Sequence, residues 1–170
     1  MAHIQESVEV NVVPAVAYEY WTRYDAFPEF LEGVVSVTRV DDTTTHWVVA
    51  VHGEQREFDT HVIERRPGEL IHWRSDGALG GEGTLLFEPV QSRSAAFREA
   101  LHGATGEHGG VAPADTHTRI TARLSWEDKT RAEHFGAAFG TDSRKVKKDL
   151  RHFREYVEKR RVDAATTDAV

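Results

Sequence analysis

One stretch near the C-terminus limits the possible folds more than any other. Val146, Leu150, Phe153 and Val157 recur at i, i+4, i+7 and i+11, which on a helix of about 3.6 residues per turn forms a single apolar stripe. Asp142 or Ser143 can cap its N-terminus, and Gly140 ends any earlier helix. The spacing therefore predicts a helix from about Asp142 to Arg161. Its other face carries Arg144, Lys145, Lys147, Lys148, Arg151, Arg154, Lys159, Arg160 and Arg161. Burying each stripe residue is worth about 1.5–3 kcal/mol, so the helix needs an apolar partner surface.

The rest of the chain supplies strands. Ile4 to Val12 alternates apolar and polar residues, the pattern of a half-buried strand. Pro14 suits the first turn of a helix running to about Arg23, with Val16, Ala17, Tyr20, Trp21 and Tyr24 as buried positions. Pro28 disfavours helical geometry before it, so Asp25 to Pro28 reads as a break. A short helix or turn is expected over Glu29 to Glu32, ending at Gly33. Six strands then follow at hairpin spacing: Val34–Val40, His46–His52, Arg56–Arg65, Leu70–Ser75, Glu82–Pro89 and Arg119–Trp126. Their turn signals are Asp41 to Thr44, Gly53-Glu54, Pro67-Gly68-Glu69 and the glycine-rich corner from Asp76 to Gly81. Short strands joined by tight turns make an antiparallel sheet. The fold expected is α+β, β-α-α-β6-α: a curved sheet of about seven strands wrapped around the long C-terminal helix.

At 170 residues the chain fits one domain, expected over residues 1–161, with a flexible tail at 162–170. An insert at 91–116 separates the last two strands, where a hairpin needs only about 2–5 residues. The insert reads as a tolerated surface insertion, or as a lid that Phe97 and Leu101 close over a cavity mouth, or as a dimer contact through the same two residues. No apolar run approaches the ~20 residues of a membrane span. The first residues lack the charged and apolar regions of a signal peptide. With zero cysteines there are no disulfides and no thiolate metal sites, and a cytoplasmic location is expected. The net charge is -7, yet nine of the 21 Lys and Arg residues lie between Ser143 and Arg161. The remainder is acidic, and with a pI of 5.8 nucleic-acid binding is not expected.

Several stretches resemble a known superfamily. They are Tyr18-Glu-Tyr-Trp-Thr-Arg-Tyr-Asp-Ala-Phe-Pro-Glu-Phe30, Thr45-His-Trp-Val48, Arg56-Glu-Phe-Asp59, Ile71-His-Trp-Arg-Ser75 and Arg144-Lys-Val-Lys-Lys-Asp-Leu150 with Phe153. Together with the element order, they resemble the START-like (SRPBCC) helix-grip superfamily, in its bacterial polyketide cyclase/dehydrase and coenzyme Q-binding branch. The resemblance implies a hollow between sheet and helix, as in lipid and quinone carriers, plant hormone receptors and aromatase/cyclases. It implies no shared catalytic motif, and the insert departs from the short hairpin of close relatives.

Strand parity gives the lining of such a hollow: Trp47, Val49, Val51, Phe58, Thr60, Val62, Trp73, Ser75, Leu85, Phe87, Ile120, Ala122 and Leu124. Phe135, Phe139, Val146, Leu150 and Phe153 cover it from the helix side. The alternative is a core filled by the same side chains. Thr60 and Ser75 are the polar residues expected to face inward, where a hydroxyl can orient a carbonyl or phenol or, as is commoner, bond nearby backbone. They are also the candidate catalytic residues, although no nucleophile elbow surrounds Ser75. Two histidine groups, His52 with Glu57, Asp59 and His61, and His102 with Glu107, His108 and His117, lack helical metal-ligand spacing. Neither metal nor cofactor is expected, and an acid–base pair of Asp59 with His61 would sit on the outer face.

Three readings of function follow. The first is binding, with possible transport, of a small hydrophobic molecule such as a polyketide, lipid or quinone by a monomer or homodimer. The second is a cyclase or dehydratase that works by positioning its substrate. The third is a regulatory or chaperone-like module docking an acidic partner through Lys145, Lys147 and Lys148.

Overall fold

The computed structural model describes residues 2–76, 81–91, 116–126 and 142–167. Seven strands form one antiparallel sheet: β1 (Ala2–Val10), β2 (Val34–Arg39), β3 (Thr44–Val51), β4 (Glu54–Arg66), β5 (Leu70–Ser75), β6 (Gly81–Gln91) and β7 (Thr116–Trp126). Their spatial order is β1-β7-β6-β5-β4-β3-β2. Consecutive strands thus pair throughout, except that the first strand closes on the last. Helix α1 (Pro14–Trp21) and a 3-10 turn (Tyr24–Glu29) connect β1 to β2, and α2 (Ser143–Thr167) ends the described chain. This is the helix-grip arrangement expected from the sequence.

Local chemistry sets the boundaries. At the β3–β4 hairpin His52 and Gly53 both take positive φ, 50° and 84°, as a two-residue primed turn requires. The turn therefore sits one residue earlier than Gly53-Glu54. Strand β4 carries a bulge between Val62 and Glu64, which leaves Ile63 exposed. The last hairpin pairs out to Gln91 with Thr116, so both strands reach the edges of the 91–116 insert. The insert's interior, with Phe97 and Leu101, lies outside the described residues.

Two further expectations change. Pro28 does not break the helical path but lies inside the 3-10 turn, which precedes the segment expected over Glu29 to Glu32. The hydrogen bonds pass around its missing N–H: Ala26 N donates to Arg23 O, and Phe30 N and Leu31 N both donate to Phe27 O. The C-terminal helix also runs past Arg161 to Thr167, so the tail expected at 162–170 is helical as far as Thr167. No glycine or proline stands in Val162 to Thr167 to stop it.

The stripe behaves as its spacing requires. Val146, Leu150, Phe153 and Val157 are all buried, and Asp142 caps the helix by accepting from Arg144 N. Phe153 meets Trp21 and Phe30 edge-on, with ring centroids 4.7 and 5.0 Å away. The long helix is thus held by the α1 and 3-10 segment as well as by the sheet. One apolar cluster contains buried residues from Ile4 in β1 to Val157 in α2.

Candidate functional site

Two hollows lie inside the sheet's concave side among the described residues, each of about 30 Å³. Such a space takes one or two water molecules. The first sits beneath α1 and the 3-10 turn, lined by Trp21, Tyr24, Phe27, Thr45, Trp47, Thr60, Val62, Ile71 and Trp73. The second sits beneath α2, lined by Trp21, Leu31, Trp73, Leu85, Ala122, Leu124, Val146, Asp149 and Leu150. Trp21 and Trp73 line both, so these two indoles divide the interior.

Of the residues expected to line one hollow, Trp47, Thr60, Val62 and Trp73 reach the first. Trp73, Leu85, Ala122, Leu124, Val146 and Leu150 reach the second. Val49, Val51, Phe58, Phe87, Ile120 and Phe153 instead fill the core between and around them. Among the described residues, side chains from α1 and the 3-10 turn, such as Trp21, Tyr24 and Phe27, also enter the space that strand parity assigned to the sheet alone. Phe135 and Phe139 lie outside the described residues.

Thr60 belongs to a small buried polar group. Its Oγ1 lies 2.7 Å from Thr45 Oγ1, and the Trp47 indole Nε1 donates to both hydroxyl oxygens at 3.0 Å. Thr45 shares the parity of Trp47 and faces Thr60 across the β3–β4 ladder. That parity was the signal that could have found it. The indole N–H fixes both oxygens, while Trp47 stacks almost flat on Phe58, 9° from parallel.

Ser75 has a different task. Its hydroxyl donates to Gly81 O at 3.1 Å and accepts from Gly81 N at 3.0 Å. This clasp joins the end of β5 to the start of β6 and commits the hydroxyl's only hydrogen to backbone. A catalytic role for Ser75 thus loses its geometric basis.

Among the described residues the histidines do not gather, and His102, Glu107 and His108 lie outside those residues. His46 Nδ1 pairs with Asp59 Oδ1 at 2.7 Å, and His46 Nε2 lies 3.6 Å from Glu57. His61 instead bonds Thr44 Oγ1 and Asp76. Asp59 and His61 share a strand face but serve separate cross-strand pairs, so they do not form the acid–base couple considered above. No group of three or more metal-ligating side chains forms among the described residues. A wider cleft of about 170 Å³ on the outer sheet face is bordered by His3, Gln5, His72, Glu82, Thr84, Arg123 and Ser125. It opens among solvent-facing ion pairs and hydrogen bonds such as Arg74–Glu82 and Arg123–Gln5.

The basic helix face is partly spent internally. Lys145 pairs with the buried Asp149 at 2.7 Å, Lys148 with Glu32 at 2.6 Å, and Arg160 with Glu29 at 3.1 Å. Two of the three lysines invoked for docking an acidic partner therefore serve the fold. No described helix is long and apolar enough to cross a membrane.

A concave antiparallel sheet closed over a long helix, with aromatic hollows between, defines the helix-grip class. The chain belongs to the polyketide cyclase/dehydrase and lipid transport family, whose model matches residues 10–154. It is 30% identical over 164 residues to an uncharacterised 17.2 kDa protein from the melC2-rnhH intergenic region of Streptomyces lincolnensis. That match covers 94% of this chain and 92% of the relative. Among solved structures it is similar to the Zhui aromatase/cyclase of Streptomyces sp. R1128, with a TM-score of 0.61 at 13% identity over 94% of each chain. It is also similar to the di-domain aromatase/cyclase BexL from the BE-7585A biosynthetic pathway, with a TM-score of 0.61 at 14% identity. There the match covers 93% of this chain and 48% of BexL.

Proposed function

We propose that this chain binds a small hydrophobic or aromatic molecule, of the polyketide, lipid or quinone kind, between the sheet and the helices. The observation that carries the reading is the pair of aromatic hollows that share Trp21 and Trp73. A ring-sized ligand occupies a form in which these indoles part and the two spaces join. Its affinity is reduced by whatever that opening costs. Family membership and the likeness to aromatase/cyclases support the same reading. A thermal-shift screen with quinones, fatty acids, flavonoids and aromatic polyketides tests it, since a ligand bound only by the native state raises the melting temperature. Stabilisation by an apolar class is expected; none by any class would overturn it.

A second reading is cyclase or dehydratase chemistry in the same space, favoured by the Thr45–Thr60 hydroxyl pair at the first hollow. In that reading the pair holds a carbonyl while the surrounding rings fix the chain's path. Turnover of a poly-β-keto substrate, lost in the double variant Thr45→Val/Thr60→Val, separates it from simple binding.

A further inference from the structure

We infer that Thr45 and Thr60 together form a one-hydrogen donor that selects a carbonyl-bearing ligand over its hydrocarbon counterpart. The inference rests on the binding reading above and adds the chemistry of the recognised group. Two hydroxyls carry two hydrogens. One is used in the 2.7 Å bond between the two oxygens. The Trp47 indole supplies its own hydrogen to both oxygens and takes none. Neither threonine hydroxyl meets a backbone carbonyl or any other acceptor among the described residues. One hydroxyl hydrogen is therefore left, on a pair that is at least 95% buried and borders the first hollow.

A buried donor without an acceptor costs free energy, and an acceptor that fits it recovers that cost. The complementary ligand atom is a lone-pair oxygen with no hydrogen of its own, such as a ketone or quinone carbonyl. The bordering rings of Phe27, Trp47 and Trp73 favour a flat, conjugated framework around that oxygen. A hydrocarbon would leave the donor unsatisfied.

The hydrogen count has an unusual consequence. Removing one hydroxyl also removes the bond that consumed the other's hydrogen, so each single variant still offers one donor. Only removal of both leaves none. A residue acting merely through packing would not give this pattern.

The test uses 1-indanone and indane, matched rigid bicyclic molecules that differ by one carbonyl. Binding is followed through the indole N–H signals of the four tryptophans in proton–nitrogen spectra. The ratio of the indane Kd to the indanone Kd is measured in the parent, Thr45→Val, Thr60→Val, Thr60→Ser and the double valine variant. The ratio is expected to stay within a few-fold of the parent in each single variant and to fall about tenfold in the double variant. Indane affinity should be little changed throughout. A parent ratio equal to that of the double variant overturns the inference and leaves the binding reading intact. Failure of both probes to bind the parent overturns the inference, and the binding reading falls with it only if the thermal-shift screen also finds no stabilising class. Should the double variant not fold, loss of the ratio in either single variant, with Thr60→Ser unchanged, would likewise overturn the shared-donor count.

Discussion

Gly83 stands opposite Trp73 in the β5–β6 register, and the indole of Trp73 fills the space that a side chain at position 83 would need. A Cβ at position 83 would overlap Trp73 Cζ2 and Cε2. Hence the position of the indole dividing the two hollows is set by the absence of an atom on the neighbouring strand.

Gly83→Ala should therefore move Trp73 rather than be absorbed locally. Overpacking of this kind costs about 1–3 kcal/mol. It should appear as a lower denaturation midpoint at unchanged slope, together with an altered near-ultraviolet tryptophan signal. Because Trp73 borders both hollows, ligand affinity should change as well. A variant with parental stability and spectrum would show that the indole is not seated on Gly83.

Asp149 ties the long helix to the loop after the 3-10 turn. Its Oδ1 accepts from Glu32 N at 3.3 Å and its Oδ2 from Lys145 Nζ at 2.7 Å, and the residue is 4% exposed. Asp149→Ala leaves a partly buried ammonium and a backbone N–H without their acceptor, for an expected loss of about 2–3 kcal/mol. Lys148→Ala removes only the exposed pair with Glu32 and should cost much less than Asp149→Ala. Urea unfolding of the two variants checks the contrast, and equal losses would contradict it.

The sequence carried the scaffold further than the site, for a physical reason. Period-two alternation in β4 and the 3.6-residue stripe in α2 each report which face is buried, and Phe58, Thr60, Val146 and Leu150 are buried as read. Whether a buried face borders open space or another side chain depends on segments far away in sequence. Trp21 and Phe27 reach the interior from a connecting segment whose 3-10 path around Pro28 follows from packing rather than periodicity. Thr45 was within reach by parity from Trp47, but its threonine neighbours in Thr43-Thr44 read as a turn. Asp149 lies beside the apolar stripe and looks like one more solvated charge until the loop at Glu32 is in place.

Tyr18 is buried, packs edge-on against Phe87, and its hydroxyl has no hydrogen-bond partner among the described residues. Tyr18→Phe removes a polar group that burial penalises, so stability should hold or rise by up to about 1 kcal/mol. Burial chiefly pushes the Tyr18 phenol above its usual value of 10.0, with nearby Arg65 opposing. A raised native value means that the unfolded chain loses this proton first. The stability it affects is thus intact below about pH 10 and lost as pH rises toward the native value. The melting-temperature advantage of Tyr18→Phe should accordingly widen above pH 10. A constant difference from pH 8 to 11 would count against the buried phenol.

Asp41 orders the β2–β3 turn through a single carboxylate oxygen. Its Oδ1 accepts from Thr43 N and Thr44 N, both at 2.8 Å. The bond from the Thr43 backbone, followed by those from Thr44, holds this carboxyl below its usual 3.8. A lowered native value means that the unfolded chain takes up the proton first as pH falls. The contribution is present above about pH 4 and fades as pH drops through the native value. Asp41→Asn keeps an acceptor oxygen but removes the charge and the titration, so it should be less stable than the parent at pH 6. The gap should narrow as pH falls below about 4, as protonated Asp41 comes to resemble asparagine. Because Glu32, also held low by Lys148, is present in both proteins, its titration cancels in the comparison. Urea midpoints measured at half-unit intervals check this, and a gap that stays constant down to pH 2 would show that the turn does not depend on the ionised carboxylate.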